Sequence, residues 1–203
     1  MDIALDCRGL ACPGPVLRCK ECVEAKAPAT LTVTVDNEAA RENVGRFLAS
    51  RGYTVAETHQ ADGLTLLTAV ADADAAPPAE PAPAVPSRSP GAGRTVAFIT
   101  ADAIGRGDDS LGSKLMGNFL ATLPELGERL WRIILVNGGV RLAVAGSPAL
   151  PQLRALADAG VAILVCGTCL DFFGILDQKE VGQTTNMLDV VTSLDLADKV
   201  IQI

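Results

Sequence analysis

Apolar and polar positions change their spacing repeatedly along this chain, and the changes mark out elements in two differently patterned regions. Ile3 and Leu5 alternate with polar neighbours as in a short strand, and Val16, Cys19 and Val23 then recur on one face of a helix that follows Pro15. Residues 31–35 form a clear strand of period two with β-branched side chains. Asp36 or Asn37 suits the cap of the next helix, whose apolar positions Val44, Phe47 and Leu48 precede a stop at Gly52. Residues 53–58 and 64–70 read as two further strands joined through Ala61-Asp62-Gly63, a good hairpin turn. The β-α-β-α-β-β order predicts a two-layer α/β sandwich, with two helices covering one face of a four-stranded sheet.

Residues 71–93 interrupt this pattern. Pro77, Pro78, Pro81, Pro83, Pro86 and Pro90 are spread among alanines and acidic residues without apolar periodicity, the composition of a semi-rigid, extended linker. The expected division is therefore a domain over 1–70, a linker over 71–93 and a second domain over 94–203.

The second region starts with a nearly continuous apolar run over 95–100, the pattern of a strand buried on both faces of a parallel sheet. A loop rich in glycine and charge follows over 101–109. The next helix carries Leu111, Leu115, Phe119 and Leu123, with Ser113 and Lys114 facing outward or toward a ligand. Residues 131–136 give a second buried strand ending in Asn137-Gly138-Gly139, and Ser147-Pro148 starts a helix that Gly160 closes. The strand over 161–165 delivers Cys166-Gly167-Thr168-Cys169 at its C-terminal edge. A short turn over 172–176, a helix around 186–191 and a last strand over 199–203 complete an open, mostly parallel α/β sheet with helices on both faces. Ligands of such sheets gather beyond the carboxyl ends of the strands, where the loops 105–109, 137–139 and 166–169 should converge. Gly105-Arg106-Gly107 lacks the third glycine of a dinucleotide fingerprint, and Gly138-Gly139 lacks the rest of it, so NAD, FAD and ATP are unsupported and no cofactor is expected.

Net charge is −7, spread over both domains and the linker, which argues against binding a phosphate backbone. The opening residues contain neither a basic leader nor a long apolar segment, so a cytoplasmic protein with no membrane segment is expected. Cysteine placement changes the picture more. Cys7, Cys12, Cys19 and Cys22 crowd the first domain while Cys166 and Cys169 stand alone in the second, a distribution that suits thiol chemistry or metal ligation better than a disulfide framework. Cys19 and Cys22 sit one helical turn apart inside a helix, which is weak evidence for a zinc knuckle; core packing suits Cys19 better, and Cys22 reads as a partly buried helix residue. Cys7 ends the first strand and either resolves an adduct on Cys12 or packs at the strand end. His59, beside the hairpin, reads as a solvated strand residue.

Two stretches carry candidate chemistry. Leu10-Ala11-Cys12-Pro13-Gly14-Pro15 ends a strand and opens a helix, with Pro15 suited to the first helical position. A thiol at that point lies near backbone N–H groups and the positive end of the helix dipole, which favour its thiolate; the competing reading makes Cys12 an ordinary buried small hydrophobe. The pair Cys166 and Cys169 has the spacing of a dithiol couple, but also supplies two of the four ligands of a closed zinc site, or packs behind its strand with only Cys169 exposed. Asp171 and Thr168 are placed to orient a thiolate there. With no histidine in this domain, activation must come from backbone N–H groups or from Arg106 and Lys114 in neighbouring loops.

The run Leu5-Asp6-Cys7-Arg8-Gly9-Leu10-Ala11-Cys12-Pro13-Gly14-Pro15, with Asn43, Phe47 and Gly52-Tyr53-Thr54-Val55 after it, resembles the signature of the small sulfur-carrier proteins of the TusA/SirA type. Residues 94–203 resemble the DsrE-like sulfur-relay fold through Asn137-Gly138-Gly139-Val140-Arg141, Cys166-Gly167-Thr168-Cys169-Leu170-Asp171-Phe172-Phe173-Gly174 and Val181-Gly182-Gln183-Thr184-Thr185-Asn186-Met187. Together the two halves look like the YedF group of sulfurtransferase-like selenium metabolism proteins. The resemblance implies a persulfide or perselenide on Cys12, supported by Gly9, Leu10, Pro13 and Pro15, and a second active thiol at Cys169 or Cys166. It also implies a donor such as a cysteine desulfurase, a thiol acceptor protein, and self-association through the second domain. The alternatives from the residues are a thiol–disulfide module using Cys166 and Cys169, or a non-catalytic assembly or regulatory protein. No metal, nucleic-acid or membrane partner is expected.

Overall fold

Period-two alternation builds the first sheet. The computed structural model describes residues 1–59, 63–72 and 93–203, and the chain divides into two compact units on either side of residues 73–92. The first contains β1 (Asp2–Asp6), α1 (Gly14–Lys26), β2 (Thr30–Val35), α2 (Glu38–Ser50), β3 (Tyr53–His59) and β4 (Thr65–Ala71). Its strands lie in the order β1-β2-β4-β3, with β1 and β2 parallel and the other pairs antiparallel. Leu31, Val33, Val35, Leu67 and Ala69 are buried while the alternate positions are partly open, so one face is covered, as the pattern requires. Val16 and Cys19 of α1 and Val44 and Leu48 of α2 are buried with them. Asn37 is the α2 cap, its side-chain oxygen accepting the Ala40 N–H at 2.8 Å, and Asp36 is used elsewhere. Pro15 occupies the second helical position of α1, one later than expected, because Gly14 already begins the helix.

Most of the expected linker lies outside the described residues, as do most of the turn at 61–63 and the setting of the His59 side chain. At the ends of the linker, the N–H groups of Ala71 and Asp72 bond to the carbonyls of Ala29 and Gly52, and the Arg94 N–H donates to the Asp198 carboxylate.

The second unit contains β5 (Thr95–Ile99), α3 (Asp109–Thr122), β6 (Leu130–Leu135), α4 (Leu150–Asp158), β7 (Ala162–Cys166), α5 (Gly167–Phe172), β8 (Gln183–Thr185), α6 (Met187–Asp195) and β9 (Lys199–Gln202). The order is β8-β7-β6-β5-β9 and each pairing is parallel. Every residue of β6 is buried, Arg132 included, as expected of a strand covered on both faces. One side of the sheet packs against Met116 and Leu120 of α3, Leu153 and Leu156 of α4 and Leu170 of α5. On the other, Val190 of α6 packs against Val96, Ile134 and Leu164.

Three expectations are corrected here, and one strand is added. The helix α3 buries Gly112, Met116 and Leu120, whereas Leu111 and Leu115 are 56% and 40% exposed. The cause is a close backbone approach: the Ile104 N–H bonds to the Gly112 carbonyl, and a Cβ on Gly112 would lie 3.0 Å from the Ile104 oxygen, so the glycine face turns inward. The helix α4 begins at Leu150, because Ser147 accepts the Ala149 N–H within the turn that precedes it. The segment 183–185 pairs with β7 as a strand that the short polar run did not announce. Finally, residues 167–172 are helical, so the Cys-Gly-Thr-Cys stretch is a strand-to-helix junction and not a loop.

Trp131, the one tryptophan of the chain, is buried in β6 and reports unfolding of this unit by fluorescence. Met116→Ala should lower its stability to urea by about 2–5 kcal/mol and Leu115→Ala by less than about 0.5 kcal/mol. Equal effects would contradict the observed rotation of α3.

Candidate thiol centres

Of the four cysteines in the first unit only Cys12 is exposed. Cys7 is buried at the end of β1, its free thiol hydrogen-bonded to that of Cys19, and burial pushes the thiol of Cys7 up and that of Cys19 up to about 12. Both are neutral core groups, so Cys7 takes the packing role and not the resolving one. Cys22 is buried as well.

The loop that presents Cys12 is fastened at several points. The Cys7 N–H bonds to the Thr34 carbonyl at 2.9 Å, continuing the sheet. Arg8 then folds back on Asp6 through its backbone N–H at 3.1 Å and its guanidinium at 2.6–3.1 Å, which holds the Asp6 carboxyl down at about 2. Asp36, next to the α2 cap, accepts the Gly9 N–H at 2.6 Å, and Gly9 takes φ +70°, a conformation natural to glycine. The Gly14 N–H bonds to the Ala11 carbonyl at 2.7 Å, and a Cβ on Gly14 would press on Leu10 at 3.2 Å. The Cys12–Pro13 peptide is cis. Cys12 is thus held at the mouth of α1 by its neighbours, while its own sulfur is bonded to no group among the described residues. The backbone N–H contact expected for it is not formed: Gly14 gives its N–H to Ala11, and Pro15 has none.

In the second unit the two cysteines meet. Cys166 is the last residue of β7 and is 5% exposed; Cys169, in the first turn of α5, is partly exposed. Their sulfurs are 3.0 Å apart, and the Asn137 N–H donates to the Cys169 sulfur at 3.1 Å. The Asn137 amide is aimed by the way the chain leaves β6. The Val136 N–H bonds to the Ile99 carbonyl, Asn137 adopts the left-handed region at φ +49°, and the chain turns over the end of β5. Gly139 is needed there, since a Cβ would fall 2.5 Å from the Ile99 oxygen. Gly138 faces Ala101 at ordinary contact distance.

These contacts set the charge of Cys169. In the thiolate form the shared proton lies on Cys166, and this hydrogen bond, with that from Asn137, outweighs the opposing effect of burial and lowers the Cys169 pKa to about 6. The two donors thus favour the thiolate of Cys169 over its thiol.

The other expected site residues take different places. Arg106 and Lys114 are exposed and contribute no charge effect on Cys169; the activation comes from a neighbouring thiol and an amide. Thr168 and Asp171 are exposed, and neither bonds to the Cys169 sulfur. Asn186 is a buried cap of α6, accepting the N–H groups of Leu188 and Asp189 at 2.9 and 3.2 Å. Among the described residues, no group of three or more His, Cys, Asp or Glu side chains is arranged to hold a metal ion. Phe172, expected at the start of a turn, ends α5, is 82% exposed three residues beyond Cys169 and packs edge-on against Phe173, itself beneath the Arg141 guanidinium. Once the segment is known to be helical, the spacing from Cys169 gives its position.

Comparison with known proteins follows the same division. The family described as sulfurtransferase TusA matches residues 3–68, and the DsrE/DsrF-like family matches residues 110–203. A SirA-like protein from Desulfitobacterium hafniense is 32% identical, with 35% of this chain and 97% of that one covered, at a TM-score of 0.32. The YchN protein from E. coli is 20% identical over 54% of this chain and 99% of its own, at 0.40. A protein of unknown function from Methanobacterium thermoautotrophicum is 19% identical over 54% and 98%, at 0.41. No curated protein matches the chain.

If Cys166 holds down the Cys169 pKa, peptide-resolved iodoacetamide labelling of Cys169 should rise with pH through a midpoint of about 6. The midpoint should move upward in Cys166→Ala, because one donor to the thiolate is lost. An unmoved midpoint would remove the sulfur contact as the cause.

Proposed function

Since residues 3–68 belong to the TusA family and residues 110–203 to the DsrE/DsrF-like family, which gives the chain a general role in sulfur trafficking, we propose that it is a persulfide or perselenide carrier and relay protein. Cys12 accepts a sulfane sulfur or selenium atom and passes it to a thiol acceptor, with Cys169 as a second carrying thiol. The observation that carries this reading is the exposure of Cys12 on a fastened loop while Cys7, Cys19 and Cys22 are buried. A thiolate attacks the terminal atom of a donor's persulfide, the donor's thiolate departs, and no cofactor is required. Accessibility to another protein is therefore the first requirement, and Cys12 meets it.

The partners in this reading are a sulfur or selenium donor, such as a cysteine desulfurase, and a thiol acceptor protein in the cytoplasm. The net charge of −7 supports partners other than nucleic acid. Among the described residues no helix is long and apolar enough to cross a membrane. The exposed Leu111 and Leu115 of α3 and Met187 and Val191 of α6 support self-association through the second unit. A second reading, a thiol–disulfide module, is favoured by the 3.0 Å separation of Cys166 and Cys169.

Incubating the full chain with a cysteine desulfurase and either cysteine or selenocysteine should add the mass of one sulfur or one selenium to Cys12, and Cys12→Ser should lose it. Absence of any adduct on Cys12, under conditions that load a known carrier, would refute the carrier reading.

A further inference from the structure

We propose that Cys166 discharges the atom carried on Cys169, expelling it as hydrosulfide or hydroselenide and leaving a Cys166–Cys169 disulfide. This deepens the reading above and rests on it, because it requires Cys169 to carry a persulfide. The unit would then end a relay by reductive release of the chalcogen.

The argument is one of direction. The Cys169 sulfur is approached by the Cys166 sulfur at 3.0 Å and by the Asn137 N–H at 3.1 Å, and Cys166 is 5% exposed. An added sulfur must occupy the side that these groups leave open. The atom of a Cys169 persulfide that lies nearest to Cys166 is thus the inner sulfur, still attached to the protein. A thiolate can attack either atom of a persulfide, and which one it reaches decides the product. Attack on the outer atom passes it on; attack on the inner atom releases it. Cys166, buried behind Cys169 and next to the inner sulfur, is placed for release.

The step balances. The anionic persulfide on Cys169 reacts with the Cys166 thiol to give the Cys166–Cys169 disulfide and one hydrosulfide ion. The bond between the Cys169 sulfur and the terminal sulfur breaks, and the bond between the two cysteine sulfurs forms. The Cys166 proton leaves with the terminal atom. Each cysteine sulfur loses one electron, and the zero-valent terminal sulfur gains two. A perselenide gives hydroselenide by the same count. Return to the dithiol requires an external dithiol or a small-molecule thiol, so discharge is stoichiometric without one. A buried thiol that served only as a hydrogen-bond donor to Cys169 would leave the persulfide in place.

The test uses the full chain carrying Cys12→Ser, so that only cargo on the second unit is followed. The reduced protein is mixed anaerobically with sodium tetrasulfide without other thiols, freed of excess reagent, quenched with iodoacetamide at successive times and mapped by peptide mass, with released sulfide assayed in parallel. Added sulfur on Cys169 should appear first and be replaced by the Cys166–Cys169 disulfide as sulfide is released. With Cys166→Ser added, the sulfur should stay on Cys169 and sulfide release should slow by at least about tenfold. Equal retention of sulfur on Cys169 in both chains, without disulfide, overturns the discharge step and leaves the carrier reading standing. Failure of the Cys166→Ser chain to hold sulfur on Cys169, with no sulfide from its parent, overturns Cys169 as a carrier and the discharge with it.

Discussion

Parallel pairing of β6 with β7, in register from Arg132–Ala162 to Leu135–Val165, is the constraint on which the chemistry of the second unit depends. Both strands leave the sheet at the same edge, so the residues just beyond them are brought together whatever their own character. Burial of β6 throughout makes a slip of this register costly, because it would carry core side chains to new neighbours on both faces. The contact between the Asn137 amide and the Cys169 sulfur is thus fixed by core packing some distance away. The carbonyl of Ile99 at the end of β5 adds a third anchor, since it takes the Val136 N–H and leaves room only for glycine at position 139. A backbone amide positioned in this way needs no particular side chain, and nothing about its partner is lost when solvent charges are screened.

The first unit holds its thiol by other means. Residues 7–14 stay in place through local hydrogen bonds, Arg8 to Asp6, Gly9 to Asp36 and Gly14 to Ala11, most of them at exposed positions. Exposed ion pairs of this kind add little to stability. Their effect is geometric: they fix the course of the loop while leaving the sulfur open. Cys7 and Cys19 beneath it stay neutral, because desolvation by burial is the largest influence on each and keeps the thiol protonated. Exposure and not number separates Cys12 from its neighbours.

How much of this was legible in the sequence varies with the physics involved. Strands declared themselves because β-branched residues at period two, as in 31–35, or nearly continuous apolar runs, as in 95–100, have few other uses. The Asn37 cap was legible for the same reason. The facing of α3 was not, since the stripe through Leu111 and Leu115 is more apolar than the one through Gly112 and Met116; only the approach of the Ile104 backbone decides between them. The helix α5 was hidden by its length of six residues, too short for periodicity to show. The two cysteines could be named from their spacing. Their activation could not, because the decisive group is a main-chain N–H contributed by a residue 32 positions away, and sequence reasoning looks for charged side chains such as Arg106 and Lys114. Asn186 attracted attention as part of a motif and is a helix cap.

The value of about 6 for Cys169 bears on which half of a transfer it favours. Lowering a thiol's pKa increases the thiolate present but weakens each thiolate as a nucleophile, so attack is fastest when the pKa lies near the ambient pH. Departure has no such optimum: a more stabilised thiolate always leaves faster. A pKa about one unit below neutrality therefore costs Cys169 little as an attacker and helps it as a leaving group. In the relay proposed above, an acceptor that takes the outer sulfur from a Cys169 persulfide returns the departing thiolate to the Asn137 amide and the Cys166 thiol, the two groups that contact its sulfur in this structure. Inner attack by Cys166 removes the second of these donors by oxidising it, so release to an acceptor and discharge as hydrosulfide draw on the same buried thiol in opposite ways. The balance between them is set by whether an acceptor reaches the open side of Cys169 before the Cys166 thiol gives up its proton.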